Sequence, residues 1–143
     1  MTHPGESGRR RAREAAFRVV YQADVAQDSY GDTWRTRHDL ERLSDDQGQL
    51  VADVVTVLDR QGVEVDEILT DAAEHWPLDR MAATDRSVLR AAIAELMGRA
   101  GTPARVVINE AIDIARTFGS DSSAAFVNGV LDRVARVLRP GEF

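Results

Sequence analysis

Cysteine is absent from this chain of 143 residues, and so is lysine. The first absence excludes a disulfide framework, a thiolate metal site and a cysteine nucleophile. The second excludes lysine-based catalysis and the phosphate loop whose GxxxxGK[ST] pattern requires that residue. Aromatic residues make up only 6%, prolines number four and glycines ten, and no low-complexity run occurs, which argues against a largely disordered chain. No run of about eighteen apolar residues is present, so no membrane-spanning helix is expected. The opening MTHPGESG lacks the apolar core of a secretory signal peptide, and a cytoplasmic protein is expected. The 43% of hydrophobic residues can bury one core, so a single soluble domain is the expectation.

Charge is unevenly spread within a formal net charge of -6. Residues 1 to 23 hold five Arg against two acids, for +3; residues 24 to 79 hold four Arg against fifteen acids, for -11; residues 80 to 143 hold nine Arg against seven acids, for +2. All eighteen basic residues are Arg, whose planar guanidinium can fork onto phosphate or stack on a base. The composition is compatible with RNA binding without establishing it.

Helical periodicity runs through most of the chain. Arg9 to Ala26 reads as a first helix with a small-residue stripe at Ala12, Ala16, Val19, Val20 and Ala23, preceded by a flexible lead over residues 1 to 8 with Ser7 as its cap. At about 100° per residue, Arg9, Arg13, Phe17, Arg10 and Tyr21 form a flank beside that stripe, an arrangement of Arg and aromatic groups that suits a stacked nucleic acid. Phe17 is expected in the core and Tyr21 at its edge. Gly31 breaks the next segment, where Trp34, Leu40 and Leu43 can anchor a short helix. Ser44 and Gln47 form a capping box ahead of a helix that ends at Gly62, and another follows over Val65 to Ala73, before Pro77.

Asp85 to Gly98 is amphipathic. Thr102 and Pro103 read as a cap and a first helical residue, opening a helix that buries Val106, Val107, Ala111, Ile114, Ala115 and Phe118 and closes at Gly119. A last helix buries Phe126, Val127, Val130, Leu131, Val134 and Leu138, leaving a tail at 140 to 143. The expectation is an all-α, compact single domain of six or seven helices with no sheet.

Nothing in the sequence organises a catalytic centre. His3, His38 and His75 are too far apart to make a local ligand pair, and no metal or other cofactor is expected. Glu110 and Asp113 read as partners of Arg105 and Arg116, and Ser122 and Ser123 as helix caps without a glycine elbow. Asn109 and Asn128 are costly choices inside helices: each closes an internal hydrogen-bond network or faces a partner. Gly129 beside Asn128 suggests close approach of a neighbouring helix or a ligand.

With RRRAREAAFRVVYQAD, WPLDRMAATDRSVLRAAIAEL, PARVVINEAIDIARTFG and FVNGVLDRVAR in view, the chain resembles the bacterial transcription antitermination factors of the NusB family over residues 8 to 139. INEAIDIA together with FVNGVLD is the most specific pair. The resemblance implies two packed helical bundles, no enzymatic activity, and an RNA-binding domain spanning 9 to 139. It implies as partners the single-stranded boxA element of ribosomal RNA leader transcripts, the ribosomal protein NusE and the RNA polymerase elongation complex, with a homodimer reported for some members.

Position by position, the resemblance implies RNA contacts at Arg9, Arg10, Arg11 and Arg13, at Tyr21, and at Phe126 and Asn128 of FVNGVLD. Ser122 stands where Asp is frequent and Asp85 where Glu is common, in a region the family uses around its RNA and NusE surfaces, with Asp85 assigned to the partner. Ala124 and Ala125 replace a Lys or Arg common before the phenylalanine, which implies one phosphate interaction fewer and more dependence on Arg9 to Arg13. Two other readings are a homo-oligomeric helical interaction protein and the NusB-like module joined to ribosomal RNA cytosine methyltransferases. Helices that occupy all 143 residues count against the latter.

Overall fold

The computed structural model describes residues 4–143, with side chains from Gly8 onward. Six α-helices follow one another: α1 (Pro4–Ala26), α2 (Tyr30–Glu41), α3 (Asp45–Ala72), α4 (Ala83–Gly98), α5 (Ala104–Phe118) and α6 (Ser123–Leu138). Short 3-10 turns lie at Leu78–Arg80 and Pro140–Glu142, and no strand occurs among the described residues. The helices α1 to α3 form one group and α4 to α6 another. Helix α4 packs against both α1 and α3 on one side and α5 and α6 on the other. A single apolar cluster runs through both groups, from Val19 and Leu50 through Leu89 and Ile93 to Val107 and Leu131. That cluster is the aliphatic stripe of every helix but α2 turned inward, and α2 adds Tyr30 and Trp34 at its margin.

Several local expectations need correction. Helix α1 starts at Pro4, ahead of the expected Arg9, so Ser7 lies inside the helix; residues 1 to 3 of the expected lead, with His3, lie outside the described residues. Ser29 caps α2 by accepting from the Asp32 amide at 3.1 Å, which puts Gly31 within that helix, and Leu40 is 72% exposed instead of anchoring it. The Ser44 and Gln47 capping box is present. Beyond it, the two helices expected on either side of Gly62 are one helix bent at Gln61 (φ -128°, ψ 27°), because a glycine without a following proline weakens a helix but need not end it.

The tail is folded onto the body. Glu142 Oε1 accepts from the Ala104 amide at 2.9 Å, so α5 is capped from across the chain and not by Thr102, whose side chain makes no cap bond. Arg139 donates to the carbonyls of Leu96, Arg99 and Thr102 at 3.0 to 3.1 Å, satisfying oxygens left over at the end of α4. The Phe143 ring lies under the guanidinium groups of Arg105 (5.4 Å) and Arg136 (4.9 Å).

Candidate nucleic-acid interface

The five arginines of α1 divide into three kinds. Arg9 and Arg11 are exposed and make no ion pair among the described residues. Two positions apart, they point about 160° away from each other around the helix; Arg9 lines a shallow cleft with Asp53, Arg99 and Thr102. Arg10 is held by Glu110, through a short hydrogen bond, and by Asp113 at 2.7 Å. Burial works against its charge, but the two carboxylates outweigh it and raise the guanidinium pKa. Arg18 bonds Glu41 of α2 at 2.9 Å.

Arg13 is a correction. Its side chain is only 6% exposed, and its Nε and Nη2 donate to Glu95 of α4 at 2.9 and 2.8 Å, with Glu110 3.7 Å from Nη1. It sits on the inward edge of α1, where direct contact with RNA requires the core to open. A sequence signal existed for this. Glu95 is the one charge in the apolar run AAIAELMG, and a carboxylate in such a place calls for a buried cation.

One turn further along α1, the flank becomes aromatic. Phe17 is buried, and its ring centroid lies 6.0 Å from Tyr21 and 4.9 Å from Phe118. Tyr21 and Phe118 are each 38% exposed, so two half-open rings flank a buried one along the seam of α1 and α5. Phe118 departs from its expected place in the core. It is the last residue of α5, and no further turn of that helix covers it. Asp113 bonds Arg116 at 3.1 Å as expected and also reaches Arg10, whereas Glu110, expected to serve Arg105, joins this seam through Arg10 instead.

From Phe118 the chain turns through residues 119 to 122 into α6. A Cβ at Gly119 would lie 2.7 Å from the Ala115 carbonyl oxygen, which leaves room only for glycine. Ser123 Oγ accepts from the Ser120 amide at 2.9 Å and stabilises the turn, while Ser122 is exposed and makes no cap bond. Phe126 is half-buried and its ring forms a T-shaped pair with Trp76, centroids 6.4 Å apart. Asn128 is exposed and makes no side-chain hydrogen bond among the described residues, so of its two readings the outward-facing one holds. Gly129 does not mark a close approach: the nearest atom to a Cβ there is Arg133 Nη1 at 4.0 Å. Asp85 lies in the first turn of α4, with a buried Oδ1 that lacks a hydrogen-bond partner. Its neighbour Arg86 bonds Asp24 near the end of α1 at 2.6 Å.

The structure thus gathers Arg10, Tyr21 and Phe118 on one seam and joins them through a short turn to Ser122 and Phe126. Arg9 and Arg11 flank its start on opposite sides. The acidic middle segment is partly used internally: Asp24 and Asp66 bind Arg90 (2.9 and 2.8 Å), and Asp53 binds Arg99 at 2.6 Å. Asp59, Glu64, Glu67 and Asp71 remain exposed.

Comparison with known proteins completes the assignment. The NusB family model matches residues 10–136. The chain belongs to the NusB family. The transcription antitermination protein NusB of Anaeromyxobacter dehalogenans is 44% identical over 138 residues, covering 94% of each chain. Solved T. maritima NusB superposes with a TM-score of 0.83 at 31% identity, over 95% of this chain and 93% of that one. A chain in a crystal structure of the antitermination factors NusB and NusE with double-stranded RNA shares the NusB fold, with a TM-score of 0.81 at 23% identity over 92% and 98% of the two chains.

Proposed function

We propose that this NusB family member is a non-enzymatic transcription antitermination factor that binds single-stranded boxA RNA, pairs with NusE and so joins the elongating RNA polymerase in the cytoplasm. The observation that carries the reading is the exposed pair Arg9 and Arg11 at the start of the helix that also presents Tyr21 beside Phe118. Exposed guanidinium groups neutralise phosphate and release counterions, whereas half-open rings accept unstacked bases. A protein of the same fold assembles with NusE and double-stranded RNA, which supports NusE and RNA as classes of partner; the single-stranded preference rests on the half-open rings.

In this reading Arg9 and Arg11 position the RNA backbone, Arg10 joins them when it exchanges a carboxylate for a phosphate, and Arg13 holds α1 in place from within. Tyr21, Phe118 and Phe126 take bases, Ser122 and Asn128 offer polar contacts, and Asp85 with the exposed acids of α3 faces the basic partner. The local field at the arginine end, not the net charge of -6, governs attraction. Residues 9 to 139 act as one RNA-binding unit. Among the described residues no helix is long and apolar enough to cross a membrane.

Fluorescence anisotropy with boxA and a scrambled RNA, with and without NusE, tests this. Preference for boxA that NusE sharpens is the expected result; equal, NusE-independent binding of both RNAs contradicts it. Mass measured across concentration separates a homodimer whose interface hides α1, because RNA would then compete with self-association.

A further inference from the structure

Trp76 lies outside every role given so far. Its side chain is 52% exposed although it carries the largest type of ring in the chain, and its neighbours Glu74, His75, Pro77 and Asp79 are polar or small and exposed as well. The backbone that carries the ring is anchored on both sides. The Trp76 amide donates to the Ala73 carbonyl at 2.8 Å, Pro77 restricts the backbone that follows, and Arg133 of α6 donates to the Ala72 carbonyl at 2.7 Å, tying the end of α3 to α6. The indole and the Phe126 ring meet at 61° between their planes, and at 52% exposure much of the Trp76 surface stays open. By contrast Trp34, the other tryptophan, is half-buried and packs on His38 at 4.8 Å.

A half-open indole set against Phe126 adds a ring at the Phe126 end of the proposed site. We infer that Trp76 is a stacking platform for an unpaired base of single-stranded RNA, extending the site past Phe126 to the end of α3. This inference rests on the RNA-binding reading above. A base is favoured over a protein side chain because the exposed neighbours Glu74, His75, Pro77 and Asp79 do not extend the ring into a continuous apolar surface that a protein contact of useful size needs. The exposed charges nearby, Asp71, Glu74 and Asp79 against Arg80 and Arg133, give no positive surplus, so the contribution here comes from stacking and not from phosphate neutralisation. An indole with only two side-chain torsions loses little rotamer freedom on binding, which makes the contact efficient.

The experiment uses the full chain carrying Trp34→Phe, so that all tryptophan emission comes from Trp76, titrated with boxA RNA while anisotropy of a labelled RNA reports binding in parallel. Emission should be quenched along the same curve as the anisotropy. Trp76→Ala, with unchanged melting temperature, should weaken boxA about tenfold while leaving the slope of log affinity against log salt unaltered, and Trp76→Phe should recover most of the loss. RNA that binds with normal affinity to Trp76→Ala, or leaves the emission of Trp76 unmoved, overturns the inference and leaves the RNA-binding reading standing. Absence of any RNA binding at low salt overturns both.

Discussion

Arg13 and Glu95 form a two-pronged ion pair inside the protein, with side chains only 6% and 3% exposed and N to O distances of 2.8 to 3.1 Å. The pair joins α1 to α4, and so fixes the helix that carries the exposed arginines. Removing one partner strands the other charge in the core. Arg13→Ala is therefore expected to cost about 3 to 5 kcal/mol of folding stability in urea titrations, whereas replacing both residues with apolar groups of similar volume should cost much less. Equal losses in the single and double variants would show that packing, not charge, holds the two helices.

The end of α5 offers a separation of fold from binding. Phe118→Ala removes a half-exposed ring, so it should lower RNA affinity with a smaller stability loss than Phe17→Ala, for which about 3 to 5 kcal/mol is expected from a buried ring. Tyr21→Phe keeps the ring and tests its hydroxyl alone. Circular dichroism melts run beside anisotropy distinguish these cases, and an unchanged RNA affinity in Phe118→Ala would remove that ring from the site.

Acid sensitivity should arise at two junctions. For Asp24 burial opposes ionisation, but hydrogen bonds and charge from Arg86 and Arg90 outweigh it and lower the carboxyl pKa. For Glu41 burial is likewise outweighed by Arg18 and Arg37, again lowering the pKa. A carboxylate whose folded pKa is depressed contributes stability above its unfolded pKa, about 4, and that contribution fades as pH falls through the folded value. The melting temperature is thus expected to be level above about pH 5 and to fall below about pH 4, less steeply in Asp24→Asn and Glu41→Gln than in the parent. Identical acid profiles in all three proteins would refute the assignment to these groups.

Glu142 provides a local test. Loss of its bond to the Ala104 amide in Glu142→Ala should speed hydrogen exchange in the first turn of α5 while α6 stays protected. Uniform exchange in both proteins would show that the tail does not hold that turn.

How far the sequence revealed all this depended on the range of the interaction. Local rules located the capping box at Ser44, the helix bodies and the aliphatic core, because spacing and caps are written in adjacent residues. They failed where a partner was distant: the tail cap of α5, 38 positions away, and the buried state of Arg13, 82 positions from Glu95. Charge counting also overstated the basic end, because Arg10, Arg13 and Arg18 are committed to carboxylates from three other helices. The aromatic seam was half legible. Tyr21 showed itself at the edge of the first helix, while Phe118 has the spacing of a core residue and is left open only because α5 ends there.

The salt dependence of boxA binding by the Arg9→Ala, Arg11→Ala double variant tests the central claim most directly. Both side chains are exposed and make no ion pair among the described residues, so the fold should be unaffected. If they touch phosphate, affinity should fall for boxA and unrelated single-stranded RNA alike, and the slope of log affinity against log salt should shrink by about 0.7 for each phosphate no longer neutralised. A well-folded double variant with the affinity and salt slope of the parent would contradict the placement of RNA on this end of α1.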